Sequence, residues 1–332
     1  MVKKTKSPQI APKFKVNGQG INDLIFKELL KRGYSLEGNT RVWNIADSKL
    51  WYLTPEQAQG YLDLDESELY KTNIDLVQGE ELMKENINEI LSELKENKVN
   101  IIDLGCGNGE KAAFIISLFA GKIKVRYCPI DISGYMVKKA METVSKLPVE
   151  EVIEFQWNIS DFENLENVAP LLKKGDFKRN IFMILGNTIG NFDIHEILYQ
   201  IRSAMNQGDL LIIDAARDDK KHEERAQQYR KSKDFDDWMR SVPLQLGLKN
   251  EDIEFGVRFK APRLEVYYTI KNDKTINFQK KTVNFYKGDQ IIILTAYKYP
   301  TEDLAAFFNM YFDKVILKES KNSAKILVLC KK

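Results

Sequence analysis

The apolar run NIIDL ends at Asp103-Leu104 and leads into Gly105-Cys106-Gly107-Asn108-Gly109, followed by the helix-forming stretch KAAFIISLF. Glycine lacks a Cβ, so the backbone of such a loop can turn sharply and lie against a ligand. The amides that open the next helix can receive a carboxylate or phosphate. At the carboxyl end of a sheet strand, this is where open α/β sheets bind ligands. The spacing is G-x-G-x-G, with the third glycine one residue earlier than in the dinucleotide fingerprint G-x-G-x-x-G. Glu110 stands where that fingerprint wants glycine, and a carboxylate there sits badly beside a pyrophosphate.

Two further positions complete the pattern. VRYCPIDIS places Asp131 at the end of the next strand, where a carboxylate can accept both hydroxyls of a ribose. WNISDF places Asp161 to accept from an adenine amine and Phe162 to pack on the ring. Each element alone is weak, because a strand-terminal Asp often only caps a turn. Together, in order and at successive strand ends, they match class I methyltransferases, whose S-adenosylmethionine carries no phosphate.

The elements that must position these residues follow a βαβ rhythm from Asn100 onward. NIIDLG, KVRYCPIDI, VIEFQWNI, NIFMILGN and DLLIIDAA read as strands, with helices such as GYMVKKAMETVSKL and HEILYQIRSAMN between them. The alternation predicts an α/β fold with a doubly wound, mainly parallel sheet. IFMIL and LLIID, apolar throughout, suit central strands buried on both faces. Residues 21–98 read as mostly helical: INDLIFKELLKRG stops at Gly33, and TPEQAQGYL opens on Thr54 as N-cap. Beyond Asp218 a charged helical stretch precedes antiparallel strands with turns at Asn272-Asp273 and Lys287-Gly288-Asp289. The chain closes with a helix, TEDLAAFFNMYF, and a β-hairpin. This reading divides the chain into a helical N-terminal part (1–75), a cofactor-binding core (76–218), an insertion (219–290) and strands and a helix that complete the core (291–332).

The stretch Gly186-Asn187-Thr188-Ile189-Gly190-Asn191, with GCGNGEK and YCPIDIS, resembles the histidine-specific N-alpha-methyltransferases of ergothioneine biosynthesis and their fungal relatives that methylate tryptophan derivatives. The resemblance covers residues 100–219. It implies a Rossmann-like methyltransferase core with an accessory α+β substrate domain built from the segments before the core and inserted late within it. It implies that Gly105, Gly107 and Lys111 contact S-adenosylmethionine, that Asp131 holds its ribose, and that Asp161 and Phe162 hold its adenine. Asn191 would bind the amino and carboxylate end of an amino-acid substrate, and Tyr70 and Tyr229 would line its pocket. In the family a late strand carries a Glu-x-Ser pattern that reads the substrate imidazole. IIILTAYKY offers Leu294 and Ala296 at those places, and neither can satisfy a buried imidazole. Histidine is therefore a poor candidate substrate.

Composition narrows the partners. Fifty Lys+Arg nearly cancel forty-eight Asp+Glu, without the basic excess usual in nucleic-acid binding. No run approaches the ~18 apolar residues of a membrane span. The basic N-terminus lacks the apolar stretch of a signal peptide and reads as a loose tail. Three scattered cysteines and two histidines give no zinc-like spacing and no disulfide framework, so no metal is expected and a reducing, cytoplasmic setting is the default.

Other residues have plain structural roles in this reading. Cys106 packs within the loop, His195 opens or faces a helix, and Phe307, Phe308, Tyr311 and Phe312 pack the last helix. Tyr267 and Tyr268 alternate faces, so at most one lines a pocket. The leading expectation is N-methylation of a small amino acid or amine. A peptide or protein acceptor and a non-catalytic cofactor-binding protein are the alternatives.

Overall fold

The computed structural model describes residues 21–67, 75–162, 165–216, 221–321 and 325–332. Tyr70, one of the expected pocket residues, lies outside them.

The chain begins with α1 (Asp23–Arg32), β1 (Ser35–Glu37), β2 (Thr40–Asn44), α2 (Pro55–Asp65) and α3 (Asp75–Leu94). Then come β3 (Lys98–Leu104), α4 (Glu110–Phe119), β4 (Lys124–Ile130), α5 (Gly134–Val144), β5 (Glu151–Val152), α6 (Leu165–Leu172), β6 (Arg179–Ile184), α7 (Ile194–Ala204) and β7 (Leu210–Ala216). The later part holds α8 (His222–Lys231), α9 (Lys233–Met239), α10 (Ser241–Leu244), β8 (Ile253–Lys260), β9 (Arg263–Ile270), the hairpin β10 (Lys274–Phe278) and β11 (Lys281–Phe285), and β12 (Gln290–Tyr297). It ends with α11 (Thr301–Tyr311), β13 (Lys314–Glu319) and β14 (Lys325–Lys331).

Seven strands form the core sheet in the order β13-β14-β7-β6-β3-β4-β5. β7, β6, β3, β4 and β5 run parallel, and β14 inserts antiparallel between β7 and β13. β3 and β6 are neighbours although the chain leaves β3 toward β4 and β5, so their carboxyl ends form the topological switch point where such sheets bind ligands. One face packs on α6, α7 and α11 through Val168, Ile197 and Phe308. The other packs on α3, α4 and α5 through Ile90, Ile115 and Ala140.

The accessory part is a five-stranded sheet ordered β1-β2-β12-β9-β8, with its own core around Trp43, Trp51, Phe235, Trp238, Val266 and Tyr268. This changes two boundaries read from the sequence. The first 75 residues are not helical throughout, because β1 and β2 belong to this sheet. The return to the core sheet does not begin at residue 291, because β12 pairs parallel to β2 and antiparallel to β9. Both faces of β12 are largely buried, so its sequence reads the same in either sheet. Only α11, β13 and β14 complete the core.

Local signals place the helices that matter here. Thr54 and Gln57 form a reciprocal capping box at the start of α2, with Pro55 in the first turn, where its missing N–H is not needed. Asn22 caps α1, and Gly33 ends it at φ +63°. VIEFQWNI, expected as a full strand, gives only the two residues of β5. Pro129 explains this. It faces the β5 side, as Tyr127 and Asp131 do, and has no N–H for a ladder bond there. The buried Asn158 amide donates to the Pro129 carbonyl at 2.7 Å and to that of Ile153 at 3.1 Å, replacing backbone pairing. Among the described residues no helix is long and apolar enough to cross a membrane.

Candidate active site

The glycine loop leaves β3 at the switch point. The Gly105 amide donates to the Ile130 carbonyl at 2.8 Å, which ties the loop to the end of β4. Gly105 has φ +71°, and a Cβ there would meet Thr188 Cγ2 at 2.9 Å. The absent side chain thus lets the loop after β3 press against the loop after β6. α4 then starts at Glu110, with Gly109 as its N-cap.

Asp131 follows β4 directly and is buried. One of its oxygens accepts the Ser133 amide at 2.9 Å and the other the Gly107 amide at 3.3 Å. A carboxylate has about four acceptor sites, so two remain for hydroxyls of a ligand. Burial pushes its pKa up to about 6, against the lowering effect of the backbone amides. Asp103, at the end of β3, is also buried and accepts the Tyr127 hydroxyl at 2.7 Å. Burial and the Asp131 charge push it up to about 7, opposed chiefly by the Tyr127 hydrogen bond.

The loop after β6 is held by Asp214 at the end of β7. Asp214 accepts the Gly186 amide at 3.3 Å and pairs with the buried Lys325 at 3.3 Å. Asn187 takes the left-handed conformation at φ +65° and accepts the Ala216 amide at 3.0 Å through its side chain. These contacts fix the single turn Thr188–Asn191, against which β12 of the accessory sheet packs.

A cavity of about 680 Å³ joins these parts. It is lined by Gly105, Gly107, Lys111, Asp131, Asp161, Phe162, Asn191 and Tyr229, so every described residue expected from the sequence reaches it. Phe162 is buried and packs against Phe192, with ring centroids 5.2 Å apart. Leu294 and Ala296 line the same cavity on the apolar face of β12, opposite Val266 and Leu264.

The structure adds residues that the sequence did not single out: Trp51, Tyr52, Tyr61, Asp65 and Trp238. Burial and the negative charges of Asp65 and Asp131 help hold the Tyr52 and Tyr61 hydroxyls protonated. A usable signal existed in α2, where Ala58, Tyr61, Leu62 and Asp65 stand at i, i+3, i+4 and i+7 and share one helix face. α2 reaches the core through Ala58 and Leu62, which pack on Met136, and through Gln59, which accepts the Tyr135 hydroxyl at 2.5 Å.

Residues given plain roles stay out of the chemistry. The Cys106 thiol is buried, and burial pushes its pKa well above the usual value, which suppresses the reactive thiolate. His195 packs against Phe307 and meets the Tyr311 hydroxyl at 3.2 Å. Tyr268 is buried and donates to Asp236 at 2.7 Å, while Tyr267 lies under Arg258 on the opposite face. Neither tyrosine lines the cavity.

A seven-stranded sheet with one reversed strand, a G-x-G-x-G loop at its switch point and a carboxylate at the next strand end define an S-adenosylmethionine-dependent methyltransferase of class I fold. Within that class, the chain belongs to the family of histidine-specific, S-adenosylmethionine-dependent methyltransferases, whose model matches residues 68–315. Among solved structures, it is similar to an S-adenosylmethionine-dependent methyltransferase from Clostridium acetobutylicum ATCC 824 (13% identity, 82% of this chain and 98% of that chain, TM-score 0.42). It is also similar to a putative methyltransferase from Thermobifida fusca YX (11% identity, 83% and 87% covered, TM-score 0.42). A third is CalS10, an amino pentose methyltransferase from Micromonospora echinaspora with bound S-adenosylmethionine (8% identity, 75% and 90% covered, TM-score 0.34). No curated protein matches the chain.

Proposed function

We propose that this methyltransferase N-methylates a small amine or amino-acid-like molecule, and that histidine is a poor acceptor. The observation that carries the proposal is that one cavity joins the glycine loop, Asn191 and Tyr229 beneath α2 and β12. Its volume, about 680 Å³, falls in the range of small-molecule sites. Leu294 and Ala296 in its wall offer no hydrogen-bond partner to an imidazole.

Asp131, with two acceptor sites to spare, would hold the ribose of the cofactor. Asp161 and Phe162 would take its adenine, and the Gly105–Gly107 backbone and Lys111 its methionine end. Bound S-adenosylmethionine supplies an electrophilic methyl group on a sulfonium, a good leaving group. An acceptor nitrogen would need a free lone pair to take that methyl group, and the proton it sheds would pass to water. The protein's main task is therefore alignment. The Asn191 amide, with one acceptor and two donors, orients the acceptor, and the Tyr229 hydroxyl directs its amine. Tyr70 is assigned to the same pocket on the family pattern. Three buried, free cysteines suit a reducing cytoplasm.

Calorimetric titration with S-adenosylmethionine and S-adenosylhomocysteine, followed by a tritiated-methyl screen over amines, amino acids and peptides, tests the proposal. Label should enter a small amine and stay out of histidine. Efficient labelling of peptides alone, or of histidine above all other acceptors, would overturn it.

A further inference from the structure

We propose that Asp65 and the rings of Tyr52, Tyr61 and Trp238 form the subsite for the positive charge of the acceptor, which is therefore an ammonium-type substrate rather than a neutral amide or alcohol. This rests on the proposed small-molecule reaction and names the chemistry its substrate must carry.

The three rings surround one corner of the cavity. Tyr52 and Tyr61 lie 5.6 Å apart edge to face, and the Trp238 ring lies tilted to both, 5.9 Å from Tyr52 and 5.3 Å from Tyr61. The Trp238 indole is fixed by its N–H, which donates to the Gln57 carbonyl at 3.0 Å. Neither tyrosine hydroxyl has a hydrogen-bond partner among the described residues. Faces of such rings attract a cation placed over them, and free hydroxyl oxygens accept from an ammonium N–H.

Asp65 supplies the full negative charge. It stands one helical turn beyond Tyr61 on α2, so both face the cavity from the same side. Several other carboxylates around the cavity carry partners: Asp103 accepts from Tyr127, Asp193 from the amides of His195 and Glu196, Asp47 pairs with Arg32, and Asp131 holds two amides with acceptor sites kept for the cofactor. Among the described residues, the one ion-pair partner of Asp65 is Lys111, at 4.0 Å, beyond hydrogen-bond length. Lys111 belongs to the glycine-loop helix, beside Gly186. Once a cofactor carboxylate neutralises Lys111, Asp65 is left facing the cavity without a cation. An ammonium ion fills that need, and cofactor binding thereby prepares the acceptor subsite.

The test uses the full chain saturated with S-adenosylhomocysteine, with choline as a cationic probe and 3,3-dimethylbutan-1-ol as its neutral isostere. Binding is followed by tryptophan fluorescence and by calorimetry. Choline should bind at least about tenfold tighter than the alcohol. Asp65→Asn should erase most of that preference without weakening S-adenosylhomocysteine binding. Tyr61→Leu should weaken choline severalfold and leave the alcohol unchanged. Equal binding of the two probes, or a preference that survives Asp65→Asn, would overturn the proposal. So would a parallel loss of S-adenosylhomocysteine affinity in Asp65→Asn, which would assign Asp65 to holding Lys111. Failure of the wild-type chain to bind S-adenosylhomocysteine would instead remove the cofactor site on which the proposal rests.

Discussion

The Asp131 carboxylate accepts the Gly107 amide at 3.3 Å, joining the end of β4 to the loop after β3. The same carboxylate takes the Ser133 amide at 2.9 Å, at the start of α5. One buried side chain thus ties two strand ends and a helix start together, and it still has acceptor sites for a sugar. Its protonation therefore bears on the shape of the loop and, in the proposed site, on the hold on the cofactor.

Cofactor affinity should depend on pH through Asp131. Burial raises its pKa to about 6, so it is ionised at neutral pH and protonated below about 6. A ribose that needs both acceptor oxygens binds the ionised form, so affinity falls as pH drops. S-adenosylhomocysteine should weaken up to about tenfold for each pH unit below that point, and Asp131→Asn should bind weakly with a flat profile. Calorimetry across the range checks this. Undiminished wild-type affinity at about pH 5 would show that the carboxylate does not hold the sugar.

Asp103 makes a prediction about stability. Its pKa in the fold, about 7, lies above its ordinary value. A raised value contributes stability that is fully present below the unfolded pKa and is lost as pH rises through about 7. Asp103→Asn keeps an acceptor for the Tyr127 hydroxyl and removes the buried charge. It should raise Tm by about 2–4 °C at about pH 8, the equivalent of about 1 kcal/mol. The gain should shrink at about pH 5. Equal shifts at both pH values, by calorimetric scanning, would refute this account.

Two glycines of the loop should respond unequally to alanine. At Gly109 (φ +78°) a Cβ would lie 2.7 Å from Ala140 Cα, a backbone atom that cannot swing aside. At Gly107 (φ +53°) nothing lies within 4 Å. Gly107→Ala should lose only the left-handed backbone penalty, about 1–2 kcal/mol. Gly109→Ala adds overpacking and should lose about 2–5 kcal/mol in urea unfolding. The reverse order would mean that the loop does not rest on α5 as described.

Asn191→Ala should separate cofactor binding from turnover. Asn191 sits in the turn after β6, whereas Asp131 and Gly107 hang from β4 and β3. Turnover should fall about a hundredfold or more, in line with the loss of acceptor alignment. S-adenosylhomocysteine affinity should stay within about twofold. Single-turnover kinetics with the acceptor found by screening would read this, and unchanged turnover would take Asn191 out of the site.

The sequence by itself determined the features that rest on local physics. A sharp turn lying against its neighbours requires glycine, so G-x-G-x-G was legible, and Asp131 and Asp161 follow strand positions that its rhythm marks, whereas Asn191 came from the family resemblance alone. Strands buried on both faces are continuous apolar runs, so NIIDL, IFMIL and LLIID announced the core sheet. Tertiary structure alone decided which sheet takes β12, because a strand buried on both faces carries no mark of its partners. Its parallel neighbour β2 lies far away in the chain, from Thr40 to Asn44. Tertiary structure also shortened β5, where Pro129 denies a donor and the Asn158 side chain takes its place. It assembled Tyr52, Tyr61, Asp65 and Trp238 at one corner, since contacts between α2, α9 and the core depend on how two separately built layers pack. That packing is a nonlocal sum of buried area and shape, and no period or motif in one segment encodes it.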